Sequence, residues 1–593
     1  MHTFTRQPTF TEVLRGGQSM PLLITELKSR LYSRVPLLAL FFVANSMFSA
    51  QSGLANAMQT PHAKFSTFHA HFNHVRYRNR SRNKGGHHFH FGKTPPGSPP
   101  EGPPVGSTPP PGGGSPPGGG PPPGKSVNLK DFGVHGNGTD DDAPAFAAAL
   151  NAAGQGGIVN VGPGTYALYS AINDTTGAQI VGAGASTVLE GTKPTAANRY
   201  VLTISGPGGG VRNLVISANY GVAKPTFYIN GIGVQNTTAP VVLDHVTFKN
   251  GVYLENEVFL SNANGVTITN DVFANADGAS IFCQGVINLK VFNNVFNQAG
   301  LYSIFSWAPQ NTNFDIESNQ FNFVPGDNEK FALTLGGVTN LTIANNKTVV
   351  PANAYFSGFA LLAGSDPSNY GWGPLANANV VNNECDNCGN SNGTVGSAIL
   401  IVASNGGSGI VSNVNISGNT ITETVISAVG AKTSVSSGIM SLGVPGVPSD
   451  AIKGLVIKGN SITGAGLWGV RPDSASDVQI ANNTINDCSG TPVEVAGTCG
   501  GTLTITGNTS NNCAFDTAAD AKVWGIPMGA VIQIDAPTSG PSNLTNVVVT
   551  NNSYTGKQNN LNWDIDDHVS MAHTPTTAFG NTNPDALPSR FAP

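Results

Sequence analysis

From residue 214 onward, the chain repeats one short pattern of apolar and polar positions. An apolar residue, any residue and a second apolar residue are followed by two spacers and an asparagine, as in LTIANN from position 341 and LVIKGN from position 455. The central apolar residues of the copies are Ile216, Phe248, Ile268, Val291, Ile316, Ile343, Val380, Ile416, Ile457, Ile480, Ile505 and Val549. Most intervals between neighbours are 20 to 27 residues. A repeat of this length predicts a solenoid of stacked coils.

The content of each copy indicates which solenoid. Its strands are short, alternate apolar with polar positions and have no helix between them, which favours a right-handed parallel β-helix. The 73 glycines and only 11% charged residues argue against a helical repeat. The fold class we expect is therefore all-β, a solenoid of about 10–13 coils. Because asparagine tolerates left-handed turns and its amides can stack, we interpret the repeated asparagines, and Asp271 at the same position, as structural.

One short helix is predicted ahead of the repeats, over residues 143–153. Asp142 is a favourable N-cap, and Pro144 falls in the first turn, where its missing N–H is harmless. The apolar face of this helix is formed by Phe146, Leu150 and Ala153. The first coil of a solenoid exposes an unpaired strand edge, so we expect this helix to cap it.

The same region carries a family resemblance. VNLKDFGVHGNGTDDDAPAFAAALNAA from position 127, followed by GGIVNVGPGTY, resembles the N-terminal signature of the pectate lyase-like superfamily. The resemblance implies a parallel β-helix, and it implies a polysaccharide lyase, a glycoside hydrolase, an epimerase, a tailspike or a non-catalytic surface protein.

No single enzyme family within that resemblance is matched. Of the polygalacturonase motifs, only NADG at 275–278 resembles one, and the DD pair, HG and RIK are missing. The DPHD-like stretch of alginate enzymes is also missing. Before its last residues the body has three arginines, Arg199, Arg212 and Arg471, and we expect none of them to sit inside an acidic cluster, as a calcium-dependent pectate lyase would require.

Charge divides the chain into a basic arm and an acidic body. Residues 1–125 hold 13 Lys and Arg against 3 Asp and Glu, whereas residues 126–593 hold 16 against 31. We predict a signal peptide region in residues 1–57, with an apolar stretch at 35–44 and Met20 as an alternative start. A His, Arg and aromatic arm (58–93) and a Pro/Gly linker (94–125) follow, then the β-helix (126–560) and a C-terminal tail or cap (561–593).

Candidate site residues come from the stretch between positions 244 and 330, where acids and aromatics are enriched. Aligned coils place Ile281 over Ile304, so Gln284 should stack on Trp307 along one face. Sugar rings stack on aromatic side chains, and paired carboxylates can serve as acid and as base or nucleophile. The expected catalytic residues are Asp277, Asp327 and Glu329. The expected substrate-binding residues are Gln284, Tyr302, Trp307 and Glu257.

The cysteines indicate export. Cys488 and Cys513 each lie eight residues after a repeat centre, which predicts a disulfide between adjacent coils. For the CxxC of Cys385 and Cys388, a disulfide is favoured over a redox pair or half a zinc site, because the chain has the features of a secreted protein and no second CxxC.

These observations favour a secreted enzyme that cleaves an extracellular polysaccharide, either by hydrolysis or by β-elimination. The alternative is a non-catalytic cell-surface β-helix that binds glycan. We expect no obligatory cofactor, with Ca²⁺ left open, and no nucleic-acid partner. The basic arm could contact an anionic cell surface.

Overall fold

The computed structural model describes the chain from residue 124 to residue 589, except for residues 194, 196–198, 220–228, 275, 298–300, 308, 324–329, 352–355, 366–370, 389–394, 405–408, 424–434, 444–446, 514–529, 536–542, 556–562, 568–575 and 584–588. The expected signal peptide, the basic arm and nearly all of the linker lie outside the described residues. Two of the three expected catalytic acids, Asp327 and Glu329, also lie outside them.

The described strands form two sheets, of 29 and 15 strands, that make up three parallel ladders. The first ladder consists of Ser126–Asn128, Ile158–Asn160, Gln179–Val181, Gly209–Ala218, Val241–Lys249, Val266–Thr269, Ile287–Phe292, Asn311–Glu317, Val338–Ala344, Leu375–Val381, Val411–Ser417, Ile452–Lys458, Ala475–Ala481, Gly500–Thr506, Asn543–Thr550 and Thr577–Phe579. The second ladder consists of Asn137–Asp141, Gly164–Leu168, Thr187–Gly191, Val272–Phe273, Val295–Asn297, Gln320–Asn322, Lys347–Val349, Glu384–Asp386, Thr420–Thr422, Ser461–Thr463, Thr484–Asn486, Thr509–Asn511 and Ser553–Thr555. Gly209–Ala218 and Val241–Lys249 run through both ladders and join them.

The smaller sheet is the third ladder. It consists of Ile172–Asp174, Tyr200–Ile204, Asn230–Gln235, Asn256–Ser261, Ala279–Gln284, Tyr302–Ser306, Lys330–Gly336, Phe356–Ser365, Val395–Ser404, Val435–Gly443, Trp468–Arg471, Val493–Val495, Ala530–Ile534 and Trp563–Asp567. Gly371–Gly373 adds to it as the antiparallel partner of Phe356–Ser365. The expected parallel β-helix is confirmed. Its coils continue past residue 560, because Trp563–Asp567 and Thr577–Phe579 pair in register with the preceding coils.

The central residues of the predicted repeat can be compared with the observed ladder partners. From Ile268 to Val549, each centre is the direct ladder partner of the next. For Ile216 and Phe248 the assignment is wrong, because they pair with each other in the second ladder, and Phe248 lies level with Phe273. In those two coils a single long strand runs through the first and second ladders. The residues that match the repeat there belong to the second ladder, whereas in all later coils they belong to the first.

The asparagine turns use two residues with different tasks. The first adopts the left-handed conformation, as at Asn345 with φ 55°. The second is buried and stacks on its equivalents, namely Asn294, Asn319, Asn346, Asn383, Asn419, Asn460, Asn483, Asn508 and Asn552. Asp271 heads this column: its N–H donates to Oδ1 of Asn294 at 2.9 Å, and it is fully buried. Its expected structural role is thereby confirmed.

The predicted helix is present as Ala143–Ala153, with its apolar face buried in the same core as the first coils. Asp142 is the N-cap residue, but its carboxylate makes no capping bond to the helix. It accepts hydrogen bonds from the N–H groups of His135 at 2.7 Å and Gly136 at 3.0 Å. The Gly/Asn/Asp turn before the helix is therefore held by the residue that begins the helix.

Inside the coils, large and small residues face each other in columns. The second ladder contributes stacked rings, with centroid distances of 5.0 Å from Phe248 to Phe273 and 4.5 Å from Phe273 to Phe296. The third ladder contributes small residues: a Cβ on Gly231 would lie 3.2 Å from the Phe248 ring. The same pairing recurs further along, where a Cβ on Gly438 would meet an isoleucine side chain at 2.7 Å. Interior packing therefore repeats coil by coil.

Both expected disulfides are present. Cys488 and Cys513 join adjacent coils with a Cα–Cα distance of 4.5 Å, and Cys385 and Cys388 are joined within one turn. Within the part of the chain that the structure describes, no helix has the length and apolar character needed to cross a bilayer.

We predict that Asn346→Ala lowers the free energy of unfolding by about 2–4 kcal/mol. Oδ1 of Asn346 accepts hydrogen bonds from both the backbone N–H and Nδ2 of Asn319, each at 3.0 Å, and the substitution leaves these buried donors without an acceptor. Chemical denaturation measures the loss. The exposed Asn379→Ala in the next coil is the control and should change little; equal losses in both variants would contradict a stabilising role of the buried column.

Candidate active site

The structure confirms the coil alignment on which the expected site depends. Ile281 pairs with Ile304, and Cys283 pairs with Ser306. Gln284 and Trp307 follow directly, so they are level on adjacent coils. Gln284 is exposed and Trp307 is half-buried, and both lie at the edge of the outer face of the third ladder.

Aromatic rings cover this outer face over several coils. Phe259 and Phe282 stack with centroids 5.3 Å apart, and Phe305 follows 5.4 Å from Phe282. Tyr302 stacks on Phe305 at 4.5 Å, and Trp307 lies 5.8 Å from Phe305. These residues, which we call the aromatic strip, are half-buried and so keep part of their ring surfaces in solvent. Two of the expected substrate-binding residues, Tyr302 and Trp307, thus belong to one continuous surface.

Asp277 lies beside the aromatic strip. It is exposed, and its N–H donates to the carbonyl of Leu254 at 2.8 Å. The next residue, Gly278, accepts a hydrogen bond from the N–H of Tyr302 at 3.1 Å. The structure therefore brings Asp277 close to Tyr302, while its expected carboxylate partners are outside the described residues.

Glu257 does not belong to this surface. It is fully buried inside the coil, where Oε1 accepts a 2.7 Å hydrogen bond from the N–H of Ala274. Burial raises the pKa of Glu257 to about 8, against the lowering effect of hydrogen bonds from Ser280 and Ala274. The expected substrate-binding role of Glu257 is therefore wrong, because its carboxyl group points to the small-residue column of the interior and cannot reach a sugar outside.

The outer column that contains Phe305 leads to a second set of polar residues. From Phe305 it passes in register through Thr334, Ala360, Leu400 and Met440 to Arg471, Glu494 and Gln533. Tyr302 likewise occupies the same coil position as Trp468. Where Tyr302 stacks on Phe305, the guanidinium of Arg471 lies 4.5 Å from the centroid of the Trp468 ring.

Arg471 is surrounded by carboxylates. Its Nε donates to Oε1 of Glu494 at 2.8 Å, and Nη1 donates to Oδ2 of Asp473 at 3.2 Å. Burial alone would lower the pKa of Arg471, but the charges of Glu494, Asp473 and, more weakly, Asp535 raise it. The expectation that no arginine of the body sits inside an acidic cluster is therefore wrong. We call Arg471, Asp473, Glu494, Gln533 and Asp535 the Arg471 cluster.

The two outermost acids of the cluster are partly exposed. Asp473 and Asp535 lie in the neighbouring outer column, two coils apart, with Ala496 level between them. Two steps of about 4.8 Å separate their backbones by about 10 Å. The hydroxyls of Ser474 and Thr498 donate to Oδ1 of Asp473. Both carboxylates are thus positioned beside the buried ion pair and remain open to solvent.

Two buried groups of the cluster have distinctive environments. Burial raises the pKa of Glu494, and the charge and hydrogen bond of Arg471 oppose that effect. Gln533 is 1% exposed; its Nε2 donates to Oδ1 of Asp535 at 2.8 Å, while its side-chain oxygen has no hydrogen-bond partner among the described residues. Because this oxygen is buried, a molecule on the surface cannot reach it, and Gln533 acts through its bond to Asp535.

Sequence reasoning missed this cluster because its acids are far apart in the chain and sparse. A signal was present: VRPD, VEV and IQID each place a charged or polar residue at the outward position of an otherwise apolar strand. Among the described residues, no group of three or more His, Cys, Asp or Glu side chains forms a metal-binding site, so no ligands are assigned for Ca²⁺.

Comparison with known proteins agrees with this architecture. Residues 126–322 match the family described as rhamnogalacturonase A/epimerase, pectate lyase-like. No curated protein matches the sequence. The resemblance to the pectate lyase-like superfamily is thus confirmed over that segment, and no single enzyme family is matched.

Similar solved structures include three with different roles. One is the catalytic unit of a thermostable GH87 α-1,3-glucanase from Streptomyces thermodiastaticus strain HF3-3, 15% identical over 80% of this chain and 72% of that chain, with a TM-score of 0.42. The A-module of the mannuronan C-5 epimerase AlgE6 from Azotobacter vinelandii is 16% identical over 77% of this chain and 98% of that chain, with a TM-score of 0.33. PfbA, a surface adhesin of Streptococcus pneumoniae, is 16% identical over 63% of this chain and 91% of that chain, with a TM-score of 0.36.

We predict that the stability of the wild-type chain falls as the pH rises. The folded pKa of Glu257, about 8, exceeds its ordinary value of 4.5, so the stabilisation is complete below pH 4.5 and is lost as the pH passes through about 8. The full loss should reach about 5 kcal/mol, and Glu257→Gln should remove this part of the dependence. Denaturation midpoints at pH 5, 7 and 9 provide the measurement, with the exposed Glu384→Gln as control. Parallel pH profiles for wild type and Glu257→Gln would refute the assignment.

Proposed function

We propose that this pectate lyase-like β-helix is a secreted carbohydrate-active enzyme, a glycoside hydrolase or a polysaccharide lyase. Its polysaccharide would lie along the outer face of the third ladder. The observation that carries the proposal is the shared outer column, which links the aromatic strip to the Arg471 cluster. Phe305 and Arg471 are five coils apart on this column, a distance of about 24 Å that suits an extended chain molecule rather than a small ligand.

The aromatic strip supports binding. Tyr302 and Trp307 are large, half-buried side chains that offer apolar faces together with a polar group. Rings of this type stack on the apolar faces of sugars, and Phe259, Phe282 and Phe305 continue the surface over three coils with centroid distances of 5.3 and 5.4 Å. Exposed Gln284 beside Trp307 adds a donor and an acceptor for sugar hydroxyls.

The Arg471 cluster supports catalysis. Asp473 and Asp535 are partly exposed, and their backbone separation of about 10 Å is close to the carboxyl separation of about 6.5–9.5 Å used by inverting glycosidases. One carboxyl group would donate a proton to the leaving oxygen, and the other would accept one from water. Arg471 holds Asp473 in place through its bond to Nη1, so it acts as a positioning residue.

A second location for the chemistry is Asp277 with Asp327 or Glu329, next to the aromatic strip. This pair is supported by the placement of Asp277 beside Tyr302. The Arg471 cluster is the better supported of the two, because its carboxylates are described together with their bonding partners.

Other features support an extracellular site of action. The disulfides Cys385–Cys388 and Cys488–Cys513 are stable in oxidising compartments. The expected signal peptide in residues 1–57 would deliver the chain there, and the basic arm would contact an anionic cell surface. The partner we propose is an extracellular polysaccharide, with no nucleic acid involved.

A polysaccharide panel tests the proposal. New reducing ends alone indicate hydrolysis, and reducing ends together with the ultraviolet absorbance of unsaturated uronates indicate a lyase. Binding without either signal would favour the non-catalytic glycan-binding protein, and neither binding nor turnover on any polymer would contradict the proposal as a whole.

Single substitutions locate the chemistry. If the Arg471 cluster is catalytic, Asp535→Asn and Asp473→Asn should each lower turnover about 100- to 10,000-fold while binding is retained, because a general acid or base is lost. Asp277→Asn should then change turnover little. The reverse pattern, with Asp277→Asn inactive and Asp535→Asn unaffected, would move the active site to the aromatic strip. Glu384→Gln, on the second ladder, is the matched control for removal of a carboxylate.

A further inference from the structure

The charge of the outer face bears on the substrate class. In the outer columns that contain the aromatic strip and the Arg471 cluster, the described charged side chains are three carboxylates, Asp473, Glu494 and Asp535, and one guanidinium, Arg471. With all four ionised, the formal charge is 1 − 3 = −2. The surrounding body has the same sign, with 16 Lys and Arg against 31 Asp and Glu in residues 126–593.

Arg471 offers an incoming molecule no free hydrogen-bond donors, although its charge is already included in the net value of −2. It is 1% exposed, its Nε and Nη1 are bonded to Glu494 and Asp473, and its plane lies over the Trp468 ring. A guanidinium that is already paired in this way presents no free fork to a carboxylate or sulfate of a substrate. The cluster therefore keeps a net negative charge, and its partly exposed side chains are Asp473 and Asp535.

The binding groups on the same face are suited to uncharged molecules. The aromatic strip offers apolar ring surface, and exposed Gln284 beside Trp307 offers an uncharged donor and acceptor. A polyanionic chain would be repelled by the carboxylates in the low-dielectric surroundings of the cluster, whereas sugar hydroxyls can donate hydrogen bonds to them.

We infer that the substrate is an uncharged glycan, and that the reaction is hydrolysis and not β-elimination from a uronate. In that step the protonated carboxyl group gives its proton to the glycosidic oxygen, and the bond from this oxygen to the anomeric carbon breaks, with its electron pair moving to the oxygen. A water molecule gives a proton to the second carboxylate and forms the new bond to the anomeric carbon, so that one water is added for each bond broken. This inference rests on the proposed function.

Matched polymers that differ only in charge test the inference. A neutral glucan is compared with its carboxymethyl derivative, and a methyl-esterified polyuronate with the same polymer after de-esterification. Affinity electrophoresis measures binding, and reducing ends and unsaturated uronates are measured in parallel. The neutral member of a bound pair should be retained about tenfold more tightly at low salt, and the difference should shrink as salt screens the carboxylates.

A variant adds a test that does not depend on turnover. Asp535→Asn removes one partly exposed carboxylate, so it should strengthen binding of the anionic member relative to the neutral member and narrow the difference between them. Glu384→Gln, on the second ladder, should alter neither.

The results of these experiments distinguish failure of the inferred uncharged substrate from failure of the proposed enzyme function. Tighter binding of the anionic member, its faster turnover, or release of unsaturated uronates would overturn the inference and leave the proposed enzyme intact. Absence of binding and turnover for both members of every pair would overturn the proposed function, and the inference with it.

Discussion

Backbone hydrogen bonding between successive coils is the constraint on which this structure depends. Each parallel ladder sets equivalent residues one step of about 4.8 Å apart, and every other column of the molecule inherits that step. The buried asparagines stack because their coils are in register, and so do the interior phenylalanines. The outer face follows the same rule, so distant parts of the sequence share one straight column, as Phe305 and Arg471 do.

Two buried carboxylic acids show where the interior of the solenoid tolerates polar groups. Asp271 replaces an asparagine at the head of the buried column, and Glu257 replaces a small residue opposite the phenylalanine rings. Burial raises the pKa of both residues, and one carboxyl oxygen of each accepts a hydrogen bond from a backbone N–H. Below about pH 8, protonation lets Glu257 behave as an uncharged hydrogen-bonding group, which explains how a solenoid core can hold it.

Much of the fold follows from the sequence because its signals are local. The repeat centres from Ile268 to Val549, the helix Ala143–Ala153 and both disulfides depend on short-range spacing, and each is confirmed. The register failed at Phe248, where a continuous strand removes the turn that marks the repeat elsewhere. The face on which Glu257 lies was also missed, because alternation predicts it outward with Phe259, whereas it is fully buried beside Val258.

The site was harder to predict than the fold because its members meet only through the stack. Arg471, Glu494 and Asp535 come from three coils, and the sequence between the last two includes positions 514–529, where no copy of the repeat is recognised. Alternation indicated that a charged residue within VEV or IQID faces outward, but not which residues stand beside it. That information requires the coil length of every intervening repeat.

Tyr302 and Phe305 occupy the same two coil positions as Trp468 and Arg471, so the two surfaces are separated by a whole number of coils. Each coil pairs with its neighbours through the same backbone register. Loss or duplication of one complete coil between Phe305 and Arg471 would shorten or lengthen the gap between the two surfaces by about 4.8 Å and keep both aligned. The distance between the two surfaces can therefore change in whole coils without any change in the residues that form them.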